Sequence, residues 1–153
     1  MNEYTIANDY VLPSEGKAYQ QDVTPQIKLR SMTTAEEMKR LNHTDRPYST
    51  IAEIIDDCLV DKIGISAYDL CIPDFQYALH KLRIVTYGPS YKINSTCPYC
   101  GAINHSTLNL DAITVIPFDS EVFKKCSEFT LPVTNKKITL RMQTPRILDD
   151  ITV

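Results

Sequence analysis

Residues 26–41 read QIKLRSMTTAEEMKRL, and the hydrophobic period changes partway through this stretch. Ile27 and Leu29 alternate with Gln26, Lys28 and Arg30, the period of two that marks a half-buried strand. Thr33 and Glu36 then form a T-x-x-E capping box, in which each side chain satisfies a backbone N–H that a helix start leaves unpaired. Glu36 also stands four residues before Arg40, an ion pair expected on the solvent side. A strand therefore runs into a capped helix, which should end near Asn42, before Pro47.

Downstream, Thr50 and Glu53 offer a second capping pair. The apolar set behind it, Ile51, Ile54, Ile55, Cys58 and Leu59, is the cleanest helical stripe in the chain. A third helix is expected from Pro73, with Phe75, Ala78, Leu79, Leu82 and Val85 buried and Gly88 as its C-terminal cap. From Tyr91 the texture turns to strands: Tyr91 and Ile93, Leu108 and Leu110, then Ile113 and Val115. Upstream, residues 2–12 read as an extended segment, and Pro13 and Gly16 punctuate a turn in LPSEGKAY. The fold class predicted is α+β: a short N-terminal β unit, three helices, then antiparallel strands including a zinc-ribbon-like hairpin. The expected division is 1–88, 89–117 and 118–153.

The last of these segments repeats an earlier pattern. Leu12, Pro13, Lys17, Ile27, Leu29, Arg30 and Thr33 match Leu131, Pro132, Lys136, Ile138, Leu140, Arg141 and Thr144. Pro13 to Ile27 spans 14 positions and Pro132 to Ile138 spans 6, so the second copy has a shorter connection. Its strand should lead to Thr144 as a helix N-cap, with Pro145–Val153 opening a helix that the chain leaves incomplete.

Composition narrows the function classes. A chain of 153 residues buries roughly two thirds of its unfolded surface, enough for a core without staples. No apolar run reaches the roughly 18 residues of a membrane helix. The N-terminal MNEYTIANDY lacks a basic region followed by an apolar stretch, so no signal peptide is expected and the cytoplasm is the expected site of synthesis. A net charge of −3, with basic residues scattered, argues against an electrostatic grip on nucleic acid. Five cysteines with only one close pair read as thiols or metal ligands, not as a disulfide framework.

That pair lies in TCPYCG. Cys97 and Cys100 have the C-x-x-C spacing that grips one tetrahedral zinc, and Gly101 lets the backbone turn tightly beneath it. Strands at 91–94 and 103–110 would flank it as a hairpin. A closed structural site needs four ligands, and the candidates for the others are His105 and Cys126. The C-x2-C-x4-H-x4-C knuckle fails because its last ligand would be Leu110, and FKKCSEF around Cys126 lacks a second thiol and a knuckle glycine. Two further readings stand beside zinc: a metal-free turn with reduced thiols, or half of a site completed by a second copy. Redox chemistry ranks last, since no helix follows Gly101 to lower a thiol pKa. Cys58 falls on the apolar stripe and reads as a core thiol; Cys71, two residues before a helix, reads either way.

Catalytic signatures are missing. The four glycines, at 16, 64, 88 and 101, build no phosphate cradle, and His43, His80 and His105 are far apart. Asp56, Asp57 and Asp61 read as a solvated helix face.

The motifs LPSxGxxY (Leu12–Tyr19), MTTxEE (within Ser31–Glu37), IIxxC (Ile54–Cys58), LRxxxYG (Leu82–Gly88) and CPxCG (Cys97–Gly101) occur in one order. In order and spacing the chain resembles the baseplate hub family of T-even-like contractile-tailed bacteriophages, over most of residues 10–111. The resemblance implies a structural or assembly protein of the tail baseplate without enzyme activity, resident in the virion and in the host cytoplasm during assembly. It implies a multi-subunit assembly with other hub or wedge proteins, and with the tail tube or tape-measure protein as further candidates. The alternatives are a tail-assembly chaperone missing from the finished particle, or a zinc-ribbon regulator binding nucleic acid, which the acidic balance weighs against.

Overall fold

The computed structural model describes residues 6–152; residues 2–5 of the expected N-terminal extended segment, and Val153 of the last helix, lie outside the described residues. The alternation in QIKLR makes β2 (Gln26–Arg30), which pairs antiparallel with β1 (Ala7–Val11), Tyr10 opposite Ile27. Ile27 and Leu29 are buried at 2% and 0% exposure, while Lys28 and Arg30 stay half-buried. The other edge of β2 is covered by an isolated bridge between Leu29 and Leu59, with the Val60 N–H donating to the Lys28 carbonyl at 2.9 Å. In the turn joining the strands, Gly16 has φ +77°, and a Cβ there would lie 2.6 Å from the Val23 carbonyl oxygen. Only glycine fits.

The capping box of α1 (Thr34–Leu41) forms as expected, with the Thr33 N–H donating to Glu36 at 2.6 Å. Glu36 itself departs from expectation. It is buried and paired with Arg30 at 2.8 Å, and Arg40 pairs with Glu37 instead. Burying the carboxylate beside a guanidinium from β2 ties the helix start to the strand before it. The Arg30 hydrogen bond, with those from Thr33, holds the Glu36 carboxyl down at about 2.

The next helix, α2 (Pro47–Cys58), starts three residues before the predicted Thr50–Glu53 box, with proline in its first turn. Its first N–H groups are satisfied from far away: those of Tyr48 and Ser49 donate to Asp149 at 3.2 and 2.8 Å. Thr50 sits inside the helix, its hydroxyl turned back to the Arg46 carbonyl at 3.5 Å. Ala52, Ile54, Ile55 and Cys58 are buried, with Ile51 and Leu59 packed at the margin. In α3 (Ile72–Tyr87), Phe75, Ala78, Leu82 and Val85 are buried. Leu79 is instead 37% exposed, and Ile84 is buried as well. Gly88 ends the helix with φ +84°, its N–H bonded to the Ile84 carbonyl at 2.8 Å.

A hairpin follows, β3 (Ser90–Thr96) with β4 (Ile103–Asn109), in register from Ser90↔Asn109 to Thr96↔Ile103. The strand expected at Ile113 and Val115 does not form. Residues Leu110–Ala112 make a short 3-10 turn, and beyond it both side chains are exposed, so no buried face rewards alternation. An unexpected α4 (Ser120–Ser127) starts where Asp119 accepts the N–H groups of Glu121 and Val122 at 2.9 and 3.1 Å. β5 (Glu128–Thr130) and β6 (Lys137–Thr139) pair antiparallel, and α5 (Pro145–Thr152) closes the described chain. The architecture is α+β, with five α-helices and three two-stranded antiparallel sheets among the described residues. The predicted hairpin around the two cysteines is present as β3–β4, with a single two-cysteine turn at its tip among the described residues.

The core gathers β2, α2 and α3, and α5 is clamped onto it. Asp149 is fully buried and also accepts the Tyr68 hydroxyl at 3.0 Å. Arg146 pairs with both oxygens of Asp69 at 2.8 and 2.9 Å and lies 4.5 Å over the Tyr68 ring.

Two predictions follow from these buried carboxylates. Asp149→Ala strips the first turn of α2 of its cap and orphans the Tyr68 hydroxyl, and should destabilise the chain by about 2–4 kcal/mol in urea unfolding. For Glu36, the folded value lies below the ordinary 4.5, so its contribution is present above that value and fades as pH falls towards about 2. Stability measured from about pH 5 downward should decline, and Glu36→Gln should flatten that decline.

Candidate functional site

The two-cysteine turn is carried well away from the core. α3 ends at Gly88, and the Leu110 N–H donates to the Pro89 carbonyl at 2.8 Å, closing the base of the β3–β4 hairpin. Leu110 is buried there, the Arg83 guanidinium stacks 4.5 Å over the Tyr91 ring, and Lys81 reaches Asp111 at 3.2 Å. Above this anchor every residue of the two strands is exposed except the half-buried Ile93.

At the tip the Cys97 N–H donates to the Ala102 carbonyl at 2.9 Å and the Gly101 N–H to the Cys97 carbonyl at 3.0 Å. Gly101 adopts φ +71°, which lets the chain turn back beneath the sulfurs. The Cys97 thiol lies below its ordinary value, because the backbone N–H groups of Cys100 and Tyr99 and the Cys100 thiol all bond to its sulfur. Tyr99, between the cysteines, is 96% exposed.

The other candidate ligands do not join this pair. His105 sits across the ladder from Asn94, its Nδ1 2.7 Å from the Asn94 Oδ1. Cys126 lies exposed on α4. Among the described residues no group of three His, Cys, Asp or Glu side chains is gathered for a metal. Cys58 is in the core, its thiol pushed up to about 11 by burial. Cys71 is buried as well, raised by desolvation, and accepts the Tyr19 hydroxyl at 3.3 Å. The three aspartates read as a solvated face divide: Asp56 accepts Ser66 and the Ala67 N–H at 2.7 and 2.8 Å, Asp57 pairs with Lys39, and Asp61 is exposed.

A second surface emerges from comparing the two outer hairpins. Phe129 faces Ile138 in β5–β6 as Tyr10 faces Ile27 in β1–β2. The Leu131 N–H donates to Lys136 at 2.9 Å, as that of Leu12 does to Pro25 at 2.8 Å. Asn135 takes φ +54° where Gly16 takes +77°. Each second strand leads to a threonine and then a helix; the Thr144 hydroxyl accepts the Ile147 N–H at 3.4 Å. Burial is where they part. Leu29 is 0% exposed and Leu140 52%. The Lys28 carbonyl receives Val60, while the Thr139 carbonyl, at the same place in β6, meets no such donor among the described residues. Exposed Phe129 and Val133 extend this apolar margin. The sequence signalled the hairpin through its repeat, but burial depends on what packs against it, which no local pattern records.

Thiol environment gives a direct check. Iodoacetamide at neutral pH should modify Cys97 first, and Cys58 and Cys71 last and only on unfolding, as read by peptide mapping; early modification of Cys58 would contradict this core.

Comparison with known proteins supplies the family. The family described as T4 bacteriophage base plate protein matches residues 2–153, and the chain belongs to it. No curated protein and no solved structure matches the chain. Membership puts the protein in the phage tail baseplate, as part of a multi-subunit assembly.

Proposed function

We propose that this chain is a non-enzymatic structural component of the baseplate, built into its hub, and that it joins a neighbour through the outer edge of β6. The observation that supports this reading is the contrast between the two hairpins. The first has its apolar face buried under helices and its outer edge closed by Leu59–Val60. The second has the same ladder and turn, with the face and edge open. An open strand edge beside exposed Leu140 and Phe129 is a template for pairing with another chain. The neighbours in this reading are other hub or wedge proteins, with the tail tube or tape-measure protein next to them. In the same reading, residues 1–88 form the body, 89–117 the projecting hairpin and 118–153 the docking unit.

Phage carrying Leu140→Asp test this. Mass spectrometry of purified particles should find the wild-type chain in stoichiometric amount, and the variant reduced by about tenfold or more, equivalent to about 1.4 kcal/mol of lost contact. The isolated variant should keep its urea midpoint, since Leu140 is already half open to water. Absence of the wild-type chain from finished particles would favour the chaperone role instead. Unchanged incorporation of the variant would remove this edge from the assembly.

A further inference from the structure

We propose that the Cys97–Cys100 turn is half of a structural zinc site, completed by the same turn of a second copy of this chain. The local geometry is already that of a metal knuckle. The Cys97 N–H bonds to the Ala102 carbonyl at 2.9 Å and the Gly101 N–H to the Cys97 carbonyl at 3.0 Å, which folds both cysteines onto one tight turn at the end of the β3–β4 ladder. Gly101 at φ +71° keeps the turn tight, and a Cβ there would meet nothing within 4 Å, so its conformation and not crowding calls for glycine. Two ligands are in place; zinc asks for four, at about 2.3 Å from each sulfur.

The missing pair is not near at hand in the described chain. His105 is engaged with Asn94, and no third ligand-bearing side chain is gathered at the tip. The tip is open all round, with Tyr99 96% exposed and the strands beneath it in water. Two such tips meeting about a twofold axis present four thiolates in a self-complementary way, the closed arrangement that symmetry favours for identical chains. Each zinc bound this way displaces four thiol protons to solvent and leaves the cluster with two negative charges. The second copy thus contributes half of the ligands, and the site is incomplete without it. This inference stands apart from the β6 edge: a metal-joined pair can form whether or not that edge docks.

Titrating zinc into the reduced full chain tests it. One zinc should be retained per two chains, the mass by light scattering should double on adding metal, and EDTA should reverse both. Cobalt in place of zinc should give the intense visible bands of a tetrahedral thiolate site. Cys97→Ser with Cys100→Ser should abolish retention and doubling while circular dichroism stays unchanged, because the tip is remote from the core. Cys126→Ser and His105→Ala should leave the one-to-two ratio untouched. One zinc per single chain, no retained metal, or loss of binding in Cys126→Ser would each overturn the proposal.

Discussion

The carboxylate of Asp74 holds the N-terminal turn to the rest of the molecule. It lies at the start of α3 with no exposure to water, and it accepts the Ser14 N–H at 3.0 Å, the Ser14 hydroxyl, and the Tyr19 hydroxyl at 2.7 Å. A buried charge is tolerable only when its lone pairs are filled, and here LPSEGKAY fills them. Burial, with Cys71 and Asp74 beside it, pushes the Tyr19 phenol far up, so it stays a donor. The Cys71 N–H closes the loop by donating to the Tyr19 oxygen at 3.1 Å. With the turn fixed, Leu12 enters the core and β1 and β2 are delivered onto α3. The Pro13 carbonyl of the same turn takes the Phe118 N–H at 3.1 Å, so the later part of the chain is hung on it too.

What could be read from the sequence was whatever local chemistry decides. The Thr33–Glu36 box, the stripe on α2 and the glycine after Tyr87 each report their own few residues, and each stands where its pattern puts it. Two of the misreadings share a cause. Thr50–Glu53 has the form of a cap, but the first turn of α2 is satisfied by a carboxylate about a hundred positions away. Glu36 fits an exposed helix pair with Arg40, but Arg30 competes for it from the neighbouring strand and wins in a drier setting. In both places a partner outside the helix displaced one within it. α4 was legible in principle, since Asp119 before Ser120-Glu121 is an N-cap signal.

The candidate site divides the same way. The cysteine turn is a contiguous motif, so its place between two antiparallel strands was readable from CPYCG and its flanks. What else comes near it was not, because residues distant in sequence meet only through tertiary or quaternary structure, and His105 is drawn off by Asn94. The open edge of β6 was beyond reach for a related reason. Ile138 and Leu140 carry the same letters as Ile27 and Leu29, and identical letters say nothing of whether a helix lies over them.

Asp149 also sets an order of events. While the chain is being synthesised, α2 is complete by residue 58, but the donors in its first turn have no carboxylate until residue 149 has emerged. Until then the Tyr68 hydroxyl lacks its acceptor and Asp69 lacks Arg146. Contacts that close so large a loop carry an entropic cost that is met late, so the last helix acts as a latch on a body otherwise formed. Because α5 follows directly on β6, the strand with the open edge is anchored on both sides only once that latch has shut. Before α5 docks, β6 is held from the β5 side alone; afterwards it is held from both.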